Sequence, residues 1–590
     1  MNVATSQQIT AVHASNTLAM SEHHLRTWDG TTLFYRAWQR GYSQKKALIL
    51  FHGGHEHSGR FQDLVDRLAL QNFSVFAWDA RGHGRSPGKR GYARHFHDFV
   101  RDADSFLRHI STTHGIAFED MVLLGHSVGS VVISTWLQDY ARGVRGALLG
   151  SPAFHVKLYA PLALAALKVC QRFRPGAFVN SYVKPGFLTH DEEEAEARRQ
   201  DPLISPRIAV RVLTSLFDTG NRVIKNAASI TTPILIFSAG SDWVVKRSAH
   251  EQFFRRLGST HKALQLYPGF FHEVFHEKDR QLVIDQVRGF IEAIFDESAA
   301  TQRTSALPIG YTATQPMSIP FHRKLGYRIM RLALKTVGRL STGIHRGWQV
   351  GFDAGRSLDY VYENTPSGIS SLGRAIDRIY LNSIGWRRIR ERQAHLQKLL
   401  LTAIERIQRK RRAVHILDVA SGPGRAVLDT LAQLNDPEIS AVCRDFAEGE
   451  LICGRRAANA RRIKTIEFER RDAFDPTSYA DLQPNPDIVI VSGLYELFSD
   501  NAIVLRSLRA IQHAMRDDGT LIYTNQPYHP QLELIAGMLD DRNKRPWVMR
   551  PRSQAEMHRL LIRAGFELQD MLLDVDGIFV VGVATKRTTT

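Results

Sequence analysis

The sequence predicts an α/β protein built as two doubly wound sheets that follow one another along the chain. Two series of short, β-branched apolar runs alternate with helix-length segments, the pattern of a parallel sheet covered on both faces. A stretch rich in turn formers and without apolar period, DESAATQRTSALPIGYTATQPMS, separates the two series. At 590 residues the chain is also too long for one hydrophobic core.

The first series falls within residues 20–297 and reads LILFHGG, SVFAWDARGHG, MVLLGHS, GALLGSP, PILIFSAGSD and ALQLYPG. A long insertion, about 154–226, follows GALLGSP and holds the apolar YAPLALAALKVC and the charged DEEEAEARRQ. The separating stretch is expected as a linker over 298–319, and a basic, helix-patterned segment occupies 320–412. The second series, within 413–590, runs VHILDVASGPG, ISAVCRD, TIEFERRD, DIVIVSGLYE, GTLIYTNQ and a closing pair, ELQDMLLDVDGIFVVGVAT.

Composition excludes several classes. With 43% hydrophobic and 23% charged residues the chain is neither disordered nor fibrous. Three cysteines without a CxxC exclude a disulfide framework or a standard structural zinc site, so a reducing, cytoplasmic setting is expected. The first twenty residues have no basic start or apolar core, so no secretory signal is expected. The longest nearly apolar run, 158–170, is too short to span a bilayer and contains Lys168.

The net charge of +18 is concentrated: residues 320–412 hold 20 Lys/Arg against 6 Asp/Glu, and the rest of the chain 57 against 53. Within that segment Lys324, Arg328, Arg331, Lys335 and Arg339 recur at helical steps, with Leu325, Ile329, Leu332, Ala333, Val337 and Leu340 on the remaining face. Such a helix could meet anionic lipid headgroups, meet RNA, or dock on the following domain with its charges in water. Lipid is the functional expectation, as peripheral contact at the inner membrane face through 324–339, and nucleic acid is not expected. The sequence carries no sign of oligomeric state.

Gly125-His126-Ser127-Val128-Gly129 sits between an apolar run and a helix-compatible one, where small residues two before and two after the serine allow a sharp strand-to-helix turn. A hydroxyl needs a base and an orienting carboxylate, and Asp242 and His272 follow later runs in the order Ser, Asp, His. His276 competes for the base, and Asp79 and His83 compete from before the serine. Backbone amides of Val128 and of the glycine turn at Gly54 are candidates for an oxyanion hole. His55, Glu56 and His57 lack a complete ligand set, so no metal site is expected.

HGGHEHSGRF at 52–61, DARGHGRSPG at 79–88, GHSVGS at 125–130, GSDWVV at 240–245 and GFFHEVFHE at 269–277 together resemble the monoacylglycerol lipase and lysophospholipase group of α/β-hydrolases. That resemblance covers about half the chain. It implies Ser127, Asp242 and His272 as triad, Gly54 and Val128 as amide donors, a lid over 154–226 and a lipid or acyl-ester substrate.

The second series opens with Asp418, Ala420, Gly422 and Gly424 in DVASGPG, a strand ending in a glycine-rich turn before a helical run, and lacks the GK[ST] ending of a phosphate loop. Asp445 lies where a carboxylate could bind ribose hydroxyls, and Asp472 beside Ala473 where one could meet an adenine amino group. A carboxylate as early in the loop as Asp418 disfavours a pyrophosphate and favours a cationic adenosyl ligand. With RDF, RDAFD and VSGLYELF, the segment 360–586 resembles class I S-adenosylmethionine-dependent methyltransferases, and more narrowly a bacterial methyltransferase domain fused behind an α/β-hydrolase. The resemblance implies a Rossmann-like domain in which Ala420, Gly422 and Gly424 line the methionine moiety, Asp445 the ribose, and Asp472 and Ala473 the adenine. Ala420 departs from the family's glycine at that place. NQPYHP at 525–530 is similar to an amino-methylating loop but follows the fifth strand rather than the fourth. A domain that only binds a nucleotide or RNA and regulates the hydrolase is the other reading.

Overall fold

A computed structural model describes residues 19–40, 44–181, 183–296, 321–411 and 413–587. The chain divides into two units, Met1–Pro308 and Ile309–Thr590. The linker expected at 298–319 lies outside the described residues.

Among the described residues the first unit forms an eight-stranded sheet from β1 (Ala19–Arg26), β2 (Thr32–Gln39), β3 (Lys46–Phe51), β4 (Phe73–Trp78), β5 (Met121–His126), β6 (Gly146–Gly150), β9 (Ile234–Ala239) and β10 (Lys262–Tyr267). The short β7 (Phe178–Asn180) and β8 (Arg207–Ala209) pair separately. The sheet order is β1-β2-β4-β3-β5-β6-β9-β10. All six apolar runs are strands, and β4, β5, β6 and β9 are buried along their whole length, as strands covered on both faces must be. The sheet is mixed rather than wholly parallel, because β2 runs antiparallel to both β1 and β4. The sequence reading passed over β1 because AMSEHHLR is a polar edge strand in which only Leu25 is buried.

Between β6 and β9 the insertion is of two kinds. Helix Val210–Lys225 buries nine side chains or glycines in the covering layer, and Arg222 binds Asp139 of helix Val128–Asp139 through two bonds of 2.6 and 2.8 Å. Helix Ala163–Phe173 has no buried residue, and Phe173 is 79% exposed.

The second unit forms a seven-stranded sheet from β11 (Val414–Val419), β12 (Ile439–Asp445), β13 (Ile466–Arg470), β14 (Ile488–Val491), β15 (Thr520–Asn525), β16 (Phe566–Leu573) and β17 (Val580–Lys586), in the order β13-β12-β11-β14-β15-β17-β16. The strand order reverses between β11 and β14, which opens a crevice at their carboxyl ends. β17 is antiparallel to β15 and β16.

The basic segment is part of this unit's core. Helix Ile384–Gln408 lays Leu396, Leu399, Leu400, Ala403, Ile404 and Ile407 on Val414, Ile416, Ile488 and Ile522 of the sheet. Shorter helices before it, and the turn between two of them, pack Ile344, Phe352, Val361 and Leu381 with Ile535, Trp547 and Phe579. Helix Phe321–Lys335 lies with part of its basic face inward. Arg323 meets Glu533 at 3.1 Å, Arg331 meets Asp540 at 2.7 Å, and Lys335 stands over the Trp348 ring. Leu325, Ile329 and Leu332 are 51, 63 and 64% exposed, the reverse of a helix docked by its apolar side. No helix among the described residues is long and apolar enough to cross a membrane.

Candidate functional site

The serine turn is shaped by contacts that exclude side chains. A Cβ on Gly125 would lie 2.7 Å from the Gly129 carbonyl carbon, and one on Gly129 would lie 2.2 Å from the Phe51 carbonyl oxygen. With both positions bare, β5 turns directly into helix Val128–Asp139. Ser127 then takes φ +51°, a conformation held by its own amide donating to Gly150 at 2.7 Å.

The structure brings the three predicted residues together. His272 Nε2 lies 2.9 Å from Ser127 Oγ, and His272 Nδ1 lies 2.8 Å from Asp242 Oδ2. All three are buried. Asp242 Oδ1 accepts from the amides of Val244 and Val245 at 2.7 and 2.9 Å. Burial pushes this carboxyl up, but His272 and the two amides outweigh it and hold Asp242 below the usual carboxylate range. Gly54 and Val128 stand against each other, since a Cβ on Gly54 would be 3.1 Å from Val128 Cγ2, and they line one small apolar cavity with Trp78, Phe96 and Phe99.

The competing residues are engaged elsewhere. His276 donates through Nε2 to the Arg60 carbonyl at 2.9 Å, Asp79 accepts from the amides of Ser58 and Arg85, and His83 Nδ1 donates to the Arg81 carbonyl at 3.0 Å. Of the histidine-rich turn, His57 meets Asp201 at 2.8 Å and Glu56 accepts from the Gly53 amide at 3.0 Å.

A buried charge cluster beside the triad was not foreseen. Arg198, from helix Glu192–Gln200 of the insertion, reaches Glu56 at 2.5 Å and Glu273 at 2.8 Å, and Glu56 also lies 3.6 Å from His126. Glu273 follows His272 and His126 precedes Ser127, so the insertion is fastened to both catalytic-type loops. In EEEAEARRQ nothing separates Arg198 from a solvated surface charge.

In the second unit a cavity of about 530 Å³ opens at the carboxyl ends of β11 and β12 and is lined by Asp418, Ala420, Gly422, Asp445, Asp472 and Ala473. Gly424 is not in that lining. It caps helix Arg425–Leu434 at φ +73°, where a Cβ would meet Cys443 Sγ at 2.8 Å, so its role is in helix–strand packing. Gly422 holds φ +57°, and a Cβ there would stand in ordinary contact with the Gly355 backbone at 3.7 Å, so the positive φ rather than crowding calls for glycine. Ala420 holds φ +56°, a conformation that favours the glycine found at this place in the resembling family.

Asp445 accepts from the amides of Gly422 and Ala447, each at 2.9 Å, and so ties the glycine loop to β12. Asp472 accepts from the Phe474 amide. Burial first, and then the Asp445 charge, push the Asp418 carboxyl up to about 8. The helical segment supplies a wall that sequence reasoning missed, with Asp353, Asp359, Tyr362 and Arg392 in the same lining. No motif or spacing joins these residues, which lie 26 to 65 positions before Asp418, to the glycine loop.

Comparison with known proteins yields two family models. One described as "Putative methyltransferase" matches residues 287–586, and one described as "Serine aminopeptidase, S33" matches residues 42–279. An uncharacterized protein of Escherichia coli (strain K12), YnbC, is 43% identical over 97% of this chain and 99% of its own length. The monoacylglycerol lipase of Mycolicibacterium smegmatis is 29% identical over 46% of this chain and 96% of its own. Phospholipase YtpA of Bacillus subtilis is 27% identical over 42% of this chain and 94% of its own.

Proposed function

The chain belongs to the "Putative methyltransferase" family and carries a monoglyceride lipase-like α/β-hydrolase domain in its first half, and from that premise we propose a bifunctional enzyme. Its first activity is hydrolysis of lipid-type carboxylic esters, of monoacylglycerol or lysophospholipid kind. Its second is S-adenosylmethionine-dependent methyl transfer.

The hydrogen-bonded chain from Ser127 through His272 to Asp242 carries the first activity. Ser127 Oγ attacks the ester carbonyl carbon while His272 Nε2 takes its proton. Asp242 keeps the other proton on Nδ1 and stabilises the imidazolium. The amides of Gly54 and Val128 donate to the tetrahedral oxygen. His272 then protonates the departing alcohol, and water repeats the sequence on the acyl-serine. The exposed apolar side chains Tyr159, Leu162, Phe173 and Trp243 in and beside the insertion support an acyl chain as the substrate's apolar part.

For the second activity the residues fit the cofactor. The cavity's volume lies within the range of about 300 to 1,000 Å³ usual for small-molecule sites. Gly422 lies on the lining with its bare backbone, and Asp418 is a buried carboxyl beside the Asp445 charge. When bound, S-adenosylmethionine supplies an electrophilic methyl carbon on a sulfonium. Asp445 holds the ribose hydroxyls, Asp472 and Ala473 the adenine, and Asp418, Ala420 and Gly422 the methionine moiety. Asp353, Asp359 and Glu450 share the lining with Arg392, Arg425, Arg444, Arg471 and Arg542, so what favours this cationic ligand over RNA or a dinucleotide is the Asp418 and Asp445 pair at the glycine loop. Methyl release from labelled cofactor with a lipid extract, and none with RNA, is the expected result. The opposite pattern would make the domain an RNA-directed one.

Asp418 makes binding depend on pH. A free-chain aspartate loses its proton near 3.9, whereas folded Asp418 keeps its own up to about pH 8. The folded state therefore binds more protons between those values, and Asp418's contribution to stability falls as pH rises through that window. A sulfonium beside the carboxylate favours its charged form. Cofactor binding at pH 7 is thus expected to release close to one proton, and affinity to climb with pH until about 8. Calorimetry in buffers of different ionisation enthalpy measures the release, which Asp418→Asn should abolish. A wild-type heat independent of buffer would remove Asp418 from the site.

The outward apolar ridge of helix Phe321–Lys335, with Lys324 and Arg328 exposed beside it, supports peripheral contact with an anionic leaflet. Replacing Leu325, Ile329 and Leu332 together by Glu should reduce co-sedimentation with phosphatidylglycerol vesicles about tenfold or more, with ester hydrolysis in free solution unchanged. Undiminished co-sedimentation would place the contact elsewhere.

A further inference from the structure

Beside the glycine-loop cavity the second unit contains a second chamber, of about 390 Å³. Its walls are apolar and aromatic, among them Met330, Leu334, Ile376, Trp386, Ile535 and Phe579. Asp353, Leu358, Arg392, Gly493, Leu497 and Trp547 border both spaces, so the chamber adjoins the cavity through a shared wall.

Three polar atoms on this lining stand out. Glu496 Oε2, Gln526 Nε2 and Trp547 Nε1 are buried and have no hydrogen-bond partner among the described residues. Orphaned buried donors and acceptors are costly and scarce in native proteins. Three belong to residues that line this chamber, and a ligand entering it would supply their missing partners. The other oxygen of Glu496 faces Arg392 at 3.4 Å, so this carboxylate is half satisfied by the protein and half by whatever enters. His529, also on the lining, accepts through Nδ1 from the Gln531 amide at 3.1 Å, which leaves the Nε2 proton as its donor. Burial pushes this ring down to about 4, so it stays neutral near pH 7.

We propose that this chamber is the methyl-acceptor site and that it takes a neutral single-chain amphiphile with a hydroxyl-bearing head, of the monoacylglycerol or monoalkylglycerol kind. The inference rests on the methyltransferase reading above and names its substrate class. The apolar walls take the chain. The head gives a hydroxyl proton to Glu496 Oε2 and accepts from Gln526 and Trp547, and Trp547 with Arg392, the partner of Glu496, sets this end against the glycine-loop cavity. A fatty-acid carboxylate has no proton to give Glu496 Oε2, and Arg392 is already paired with that residue, so a neutral head fits better. Transfer balances within the site. The head-group oxygen's lone pair forms the new bond to the methyl carbon, the carbon–sulfur pair stays on sulfur, and the hydroxyl proton passes to Glu496.

The test is photolabelling of the full-length protein with an alkylglycerol ether carrying a diazirine in its chain, a probe that Ser127 cannot cleave. Mass spectrometry should find adducts on peptides containing Ile376 or Ile535. Ile535→Trp, which fills the chamber, should reduce them about tenfold. Gln526→Leu removes an orphaned donor and should raise the Tm of the ligand-free protein while lowering labelling severalfold, a pairing that a purely structural role would not produce. If Ile535→Trp does not fold, Gln526→Leu decides alone. Adducts confined to residues 44–296, or labelling untouched by the substitutions, would overturn the proposal. Calorimetry with S-adenosylmethionine on the same sample separates the two readings. Cofactor binding without chamber adducts sinks the acceptor site alone, and chamber adducts without cofactor binding sink the methyltransferase reading and with it the chamber's role as acceptor site.

Discussion

Ser127→Ala should lower ester turnover by about four to six orders of magnitude while leaving the fold intact. The size of the effect follows from how completely the other parts depend on this oxygen. His272 is buried with one nitrogen on Asp242 and the other on Ser127, so without the hydroxyl it has no nucleophile to activate. What survives is the contribution of bound water and of the amides at Gly54 and Val128, typically about a thousand- to ten-thousandfold over the uncatalysed rate. The turn itself should persist. Its shape comes from the bare α-carbons of Gly125 and Gly129 and from the Ser127 amide on Gly150, none of which the substitution touches. Asp242→Asn should give a smaller loss, about ten-thousandfold, because it leaves the serine and imidazole in place but favours the wrong tautomer. Turnover of a medium-chain nitrophenyl ester and of a monoacylglycerol measures both. An alanine variant with near-normal turnover would mean the hydrolytic centre lies elsewhere in the chain.

How far these sites could be read in advance depended on whether their signal was local. Strands buried on both faces announce themselves as continuous apolar runs, so β4, β5, β6 and β9, and β11, β14 and β15, were legible. Strand β1 was not, because an edge strand with one buried residue carries almost no apolar pattern. Ser127, Asp242 and His272 could be named because each ends a legible strand or follows one within a few residues. Gly424 was assigned to the ligand because a glycine needed for its own positive φ and one needed for ligand approach look alike in sequence. Arg198 and the wall formed by Asp353 and Asp359 were missed because their significance comes only from tertiary placement. The orientation of helix Phe321–Lys335 was hidden for the same reason. Asp540, which draws Arg331 inward, and Glu533, which pairs with the exposed Arg323, lie about two hundred residues away.

Asp445→Ala should weaken S-adenosylmethionine binding by about a hundredfold or more, and its consequences should reach beyond the lost ribose contacts. Each hydrogen bond to a carboxylate is worth about 1.5 to 3 kcal/mol, so two bonds to ribose hydroxyls already account for a loss of that order. The same carboxylate accepts from Gly422 and Ala447, and removing it also releases the glycine loop from β12. Asp445→Asn keeps an acceptor for one of those amides and should lose less, about tenfold. A second signature distinguishes this account from general destabilisation. The Asp445 charge is one of the two causes that push Asp418 up to about 8. In either variant Asp418 should ionise at a lower pH, and the pH at which cofactor affinity stops climbing should move down with it. Calorimetric titrations from pH 6 to 9 on the wild type and both variants measure the affinity and the shift together. Unchanged affinity would take Asp445 out of the site, and weakened affinity without the shift would mean that Asp445 and Asp418 do not sense one another across the cavity.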